Sequence, residues 1–166
     1  PVLAVINPDQ LHQVLMNLCI NAWHALDGQP GRITVALRAV DLDQRAAGRL
    51  GKLLPGRHAQ ITVTDTGRGM DEATRSRVFE PFFTTRPVGQ GTGLGLAVVH
   101  GIVASHRGAI AVRSKPGRGS SFTIHLPSTE AAGLPDSAAS PVGEGPQGQG
   151  QRVLYIDDDE VMSVMV

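Results

Sequence analysis

Gly89, Gly91, Gly93 and Gly95 stand at alternate positions in GQGTGLGLAVVHGIV, directly before a run with helical spacing. Lacking β-carbons, they permit turns and close approaches that other residues block. A helix starting near Leu94 would offer free N–H groups and the positive end of its dipole. Together these features suit a phosphate. A mobile glycine-rich loop ahead of a core helix explains the same residues. The stretch lacks the GK[ST] of a Walker loop, and no GxGxxG follows a predicted strand.

Three other stretches could do chemistry. In DTGRG, Asp65 closes an apolar strand, and Gly67 and Gly69 allow a sharp turn. A carboxylate there can accept a proton from an exocyclic amine such as that of adenine; an ordinary strand-ending Asp-Gly turn fits equally. In QVLMNLCINAWHA, Gln13, Asn17 and Asn21 recur every four residues, beside the apolar face of a helix. Such amides are structural groups or pocket groups, and an amide oxygen is a hard ligand that Mg²⁺ accepts. In FEPFFTTR, Phe79, Phe82 and Phe83 are three of the four phenylalanines. They read as anchors for a loop closing over a ligand, with Thr84, Thr85 and Arg86 near its phosphates.

The elements around these stretches follow from periodicity. PVLAVI predicts a short strand. Asn7 and Pro8 then start a helix carrying Leu11, Val14, Leu15, Leu18, Ala22, Ala25 and Leu26 on one face, up to the breaker DGQPG. RITVALRAV and AQITVTD alternate as strands. Residues 41–58 between them read as a loop at a hairpin tip. DEATRSRVF predicts a short helix with Asp71 and Glu72 in its first turn. EPFFTTRPVGQGTG is irregular, and LGLAVVHGIVASH is helical. AIAVRS and SSFTIHLP are strands joined by the hairpin signal KPGRG.

Composition bounds the function. The chain has 166 residues, 41% hydrophobic, with 15 Lys and Arg against 15 Asp and Glu. That balance gives no electrostatic case for a nucleic-acid or anionic-membrane partner. The single Cys19 excludes disulfides within the chain and fits a cytoplasmic setting. No apolar run suits a membrane helix. Pro1 at the start and VMSVMV at the end read as the limits of a piece of a longer protein.

In their order and spacing, NLCINA, DTGRGM, FEPFFTTR and GTGLGL resemble the N box, first glycine box, F box and second glycine box of the catalytic ATP-binding domain of sensor histidine kinases. That superfamily also holds the Hsp90, gyrase and MutL ATPases. The resemblance covers residues 1–127. It implies a two-layer α/β sandwich, with helices on one face of a mixed sheet and ATP bound beneath a lid at residues 79–92. It implies that Asn21 coordinates Mg²⁺ and that Asn17 lines the phosphate side. Asp65 would read the adenine amine, with Gly67 and Gly69 shaping its pocket. Thr84, Thr85, Arg86, Gly91, Thr92, Gly93, Leu94 and Gly95 would meet the phosphates, and Ser120 would stand beside Asp65.

Superfamily ATPases place a glutamate one turn before the metal-binding Asn; here that position is Asn17, which cannot act as a base. The resemblance therefore implies a kinase whose acceptor histidine lies on a dimerisation domain outside this chain. None of the six histidines precedes Glu or Asp, as an acceptor usually does, and all six read as surface or core residues. Without dimerisation helices, a monomer is expected. Residues 128–151 read as a flexible linker. In 152–166, RVLYIDDDE resembles the start of a response-regulator receiver, with Asp157 and Asp158 as its Mg²⁺-binding acidic pair. Kinase, linker and receiver together imply a hybrid histidine kinase with a receiver or response regulator as partner. An ATPase or serine kinase of the same superfamily, and a degenerate nucleotide-binding scaffold, remain the alternatives.

Overall fold

Asn7 caps the first helix, its Oδ1 accepting from the amides of Asp9 at 2.9 Å and Gln10 at 3.3 Å. Pro8 fits the first turn, where its missing N–H costs nothing. The resulting α1 (Pro8–Ala25) buries Val14, Leu18 and Ala22. The computed structural model describes residues 4–51, 53–87 and 91–128. Within them, β1 (Ile33–Leu42), α2 (Gln44–Arg49), β2 (Gly56–Asp65), α3 (Glu72–Arg77), α4 (Gly95–Ser105), β3 (Ala109–Ser114) and β4 (Ser120–Pro127) follow α1.

The four strands form one sheet in the order β1-β2-β4-β3, every neighbouring pair antiparallel. The fold is the expected α/β sandwich, but the expected mixed sheet is, among the described residues, wholly antiparallel. The reason is topological. Because both pair antiparallel with β4, β2 and β3 run the same way, and the KPGRG hairpin folds β4 into the gap between them. Alternation in a sequence fixes which residues face inward, not which strand comes next.

Two local expectations change. The strand expected at PVLAVI is represented in the described residues by a single bridge, Ala4 to Ser128. Residues 41–58 do lie at a hairpin tip, but not as a simple loop: they extend both strands and enclose α2. Asp43 caps that helix and Ala47 is buried in it. At α3, Asp71 stands before the first turn as its cap, accepting from the Thr74 amide at 2.8 Å.

The core lies between the sheet and α1 with α4: Leu18, Val14, Val63, Val99, Val103 and Ile124 are its most deeply buried side chains. Along β2, Ala59, Ile61 and Val63 face the helices, and period two carries Asp65 to the next inward position. Along β4, Phe122, Ile124 and Leu126 do the same, and Ser120 continues their row. Both strands thus place a polar residue where the apolar row ends.

His58 and His125 are buried at the other end of the sheet, 2% and 4% exposed. His58 Nδ1 donates to the Gly56 carbonyl at 2.9 Å, which leaves Nε2 as an acceptor. Gln60 Nε2 donates to His125 Nε2 at 2.8 Å, which places the His125 proton on Nδ1. The two ring nitrogens without a partner, His58 Nε2 and His125 Nδ1, are therefore one acceptor and one donor. Burial first, then the nearby His58, lowers the His125 pKa. The unfolded chain therefore takes up the proton before the folded one. Stability should be full above about pH 6.5, fall as pH drops below it, and level off below the folded pKa. Urea midpoints measured between about pH 8 and about pH 5 test this slope, and His125→Gln should flatten it.

Candidate functional site

Asp65 is 4% exposed at the end of β2. Its Oδ1 accepts from the backbone amides of Gly67 at 2.8 Å and Ser120 at 3.2 Å. These charge-assisted bonds offset the cost of burying a carboxylate. They also leave Oδ2 to accept from a ligand. Ser120 is fixed in turn, its hydroxyl 3.0 Å from that of Ser114.

Asp65 and Ser120 line a cavity of about 410 Å³, within the range of small-molecule sites. Its wall also includes Asn21, His24 and Ala25 from α1, and Leu96 from α4. Thr84, Thr85 and Arg86 close another side, with Phe83 beside them. Met70, Val78 and Phe122 make part of the wall apolar. Gly69, also in the wall, adopts φ +66°, and a β-carbon there would overlap the Lys115 carbonyl. Only glycine lets this turn lie against the β3–β4 hairpin while keeping the cavity open.

The expected residues divide into two groups. Asn21, Asp65, Gly69, Thr84, Thr85, Arg86 and Ser120 share the cavity. Asn17, Gly67, Gly91, Thr92, Gly93, Leu94 and Gly95 are not among its lining residues. Gly67 instead packs against the Ala25 carbonyl. Gly95 lies over the Asn17 side chain, whose Oδ1 would be 3.4 Å from a β-carbon at 95. Gly91 lies against Thr84 and Arg86. Leu94 caps α4 without a side-chain hydrogen bond, and no acidic residue occupies that helix's first turn. Thr92 Oγ1 accepts from the Leu94 amide at 3.4 Å. Gly89, Asp157 and Asp158 lie outside the described residues.

The three phenylalanines have different tasks. Phe79 is a core anchor, its ring 5.5 Å from that of His100 and 6.4 Å from that of Phe122. Phe83 lines the cavity with the Arg77 guanidinium 4.4 Å above its ring. Phe82 anchors nothing: it is 74% exposed, with φ +65°. Its amide donates to the Gly93 carbonyl at 3.0 Å, and Gly93 has φ +67° with no room for a β-carbon beside Phe82.

Sequence patterns missed Arg68 and His24. Arg68 Nη2 donates to Thr85 Oγ1 at 3.4 Å, and Arg86 Nη2 to Asn21 Oδ1 at 3.1 Å. Burial, then the Arg68 charge, lowers the Arg86 pKa. Burial, then the Arg86 charge, lowers that of His24. His24 is thus a cavity residue rather than a purely surface or core one. Two guanidiniums among the cavity-lining residues suit a polyanion. The only sequence signal for Arg68 was its position between the glycines of DTGRG.

Residues 6–130 match the family described as histidine kinase-, DNA gyrase B-, and HSP90-like ATPase. Sensor histidine kinase ZraS of Escherichia coli (strain K12) is 44% identical over 121 residues, covering 73% of this chain and 22% of that protein. Sensor kinase CckA of Brucella abortus is 39% identical over 118 residues, covering 71% of this chain and 12% of that protein. The mycobacterial sensor histidine kinase MprB superposes with a TM-score of 0.57 at 31% identity, covering 75% of this chain and 74% of that one. Full-length ShkA in complex with AMPPNP gives the same TM-score and identity over 75% of this chain and 22% of that one. The chain belongs to the histidine kinase-, DNA gyrase B- and HSP90-like ATPase family. Within that family it carries the ATP-binding catalytic domain found in sensor histidine kinases, and it spans about a fifth of the length of ZraS.

Gly93→Ala should free Phe82 from its link to residue 93 and loosen Thr84–Arg86 with it. Amide hydrogen exchange across residues 79–87 should rise while β2 and β4 stay protected, and an unchanged exchange pattern would refute the link.

Proposed function

We propose that this chain binds Mg²⁺-ATP for transfer of the γ-phosphoryl to a histidine on a separate dimerisation domain of a hybrid, two-component sensor kinase. The observation that carries this reading is the polarity of the cavity. A buried carboxylate stands in one part of the wall, and Asn21, Arg68 and Arg86 supply an amide and two cations in others. Asp65 Oδ2 would accept from the adenine amine, and Met70, Val78 and Phe122 would enclose the base. Arg68, Arg86, Thr84 and Thr85 would take the phosphates. The α4 amides after Leu94 would add the field of an uncapped helix start.

Mg²⁺ fits the donor set. Asn21 Oδ1 is a hard oxygen at the cavity, and phosphates and water would complete the shell. Bound with the nucleotide, the ion would neutralise phosphate charge as the transferring group separates. Asn21 Oδ1 now accepts from Arg86, so nucleotide entry would exchange that bond for one from Arg86 to phosphate. In the transfer, an imidazole nitrogen of the acceptor attacks the γ-phosphorus, the bond to the β–γ bridging oxygen breaks, and ADP leaves. This chain contributes position and charge. Asn17 offers no base to activate water, which suits a kinase rather than an ATPase.

Phe82 and Leu94, 74% and 37% exposed, are joined through the adjoining Gly93. They form an apolar rim suited to an acceptor helix. Among the described residues no helix is long and apolar enough to cross a membrane. We place the domain in the cytoplasm, and we read 128–151 as a linker to a receiver that begins near Arg152, with Asp157 and Asp158 as its acidic pair.

Asp65→Asn keeps an oxygen for the Gly67 and Ser120 amides but turns an NH₂ toward the base. ATP affinity should fall by about 100-fold, and inosine triphosphate, with an acceptor at that position, should lose far less. Calorimetry with both nucleotides reads the difference; equal losses would place the base elsewhere. A second measurement addresses the partner. Supplied with ATP, Mg²⁺ and a matching dimerisation domain, the chain should form acid-labile phosphohistidine, and Phe82→Ala should slow labelling while ATP affinity holds. Rapid ATP hydrolysis without an acceptor would favour an ATPase, and loss of all nucleotide binding a scaffold.

A further inference from the structure

The two edges of the sheet are unlike. β3 is six residues long and mostly half-buried. β1 has ten residues, and positions 34–39 are all exposed. Edge strands carry unpaired backbone N–H and C=O groups and are usually shortened, charged or covered. Among the described residues no strand pairs with the outer edge of β1, which has no proline or lysine and carries only Arg38 and Asp41 as charges.

The side chains sharpen the contrast. Val35 lies opposite Val63 and Leu37 opposite Ile61. Cross-strand partners share a face, so Val35 and Leu37 stand on the helix-bearing side. Val63 and Ile61 are 1% and 9% exposed, whereas Val35 and Leu37 are 52% and 64% exposed. The helix layer stops short of the edge. On the outward side of α1, Met16, Ile20 and Trp23 are spaced i, i+4, i+7 and are 46%, 44% and 64% exposed. Five of the exposed large apolar residues thus lie on α1 and β1.

We infer that β1 pairs antiparallel with β1 of a second copy of this chain, joining two sheets into one of eight strands. The sequence of the strand is self-complementary. With Ala36 opposite Ala36, Val35 meets Leu37 twice on the helix side, Thr34 meets Arg38 twice on the other face, and no like charges oppose. A register centred on Arg38 would set two guanidiniums against each other. An apolar, backbone-paired edge with its charges offset is what a copy of itself fits; a strongly charged partner would find only one cation and one anion there. This pairing is independent of the dimerisation domain and of the nucleotide reading.

The full chain should show a monomer–dimer equilibrium by sedimentation, with the dimer growing from micromolar to millimolar concentration. The alternate amides within residues 34–39 that face away from β2 should gain hydrogen-exchange protection in the same range. Leu37→Lys should weaken association by roughly tenfold or more without changing nucleotide affinity, since Leu37 is remote from the cavity. With Cys19→Ser as background, Ala36→Cys should oxidise to a disulfide-linked dimer, because that position faces itself across the axis. A chain monomeric throughout the range, or a dimer in which β1 amides stay unprotected, would overturn the pairing. A dimer that withstands Leu37→Lys would overturn it too.

Discussion

One carboxylate oxygen organises the functional end of this domain. Asp65 Oδ1 takes the amides of Gly67 and Ser120, so it ties the end of β2 to its own turn and to the start of β4. The turn then packs on two neighbours. Arg68 N donates to the Ala25 carbonyl at 2.9 Å, and Gly117 N to the Arg68 carbonyl at 2.7 Å. The end of α1, the turn and the β3–β4 hairpin therefore hold one another around a single buried charge. A cavity can persist there because these backbone bonds, rather than packed side chains, carry the load of that corner.

The remaining wall is held differently. Phe79 sits against the core, and Phe83 lies under a guanidinium that is itself bonded to Glu80 at 2.9 Å. Between them, Phe82 is turned outward in a left-handed conformation fixed by Gly93. One segment thus has an inner anchor, a cavity wall and an exposed apolar tip. Beyond it, the Arg86 charge is disfavoured by burial and by Arg68, and its Nη2 donates to the Asn21 amide oxygen. A polyphosphate would relieve that repulsion.

The strands and long helices were legible because their periods survive into the structure. β3, β4 and the hairpin between them fall on the residues that alternation and KPGRG marked, and α1 begins at its Asn-Pro signal. α2 was not legible: six residues with one buried side chain give no period to read. Sheet direction was not legible either, because alternation is the same in parallel and antiparallel pairs. In the site, residues with special chemistry at fixed spacing, such as Asn21 and Asp65, came together in one cavity. Arg68, His24, Met70 and Val78 did not stand out, because a cation or an apolar residue beside a motif looks like any other. Phe82 misled for a related reason, since an aromatic among aromatics reads as core until its backbone angle is known.

Whole-chain charge hides an uneven distribution. The 15 positive and 15 negative residues are not mixed evenly: up to Ser128 there are 14 Lys and Arg against 8 Asp and Glu, a net +6, and beyond it 1 against 7, a net −6. Neutral composition therefore conceals a basic domain. The ion pairs Arg75–Glu72 and Arg77–Glu80 both belong to α3 and its exit. At the cavity itself a polyanion meets Arg68 and Arg86, an attraction that salt screens. Among the described residues Asp65 is the one buried carboxylate, so a fixed negative charge stands inside a domain of net positive charge.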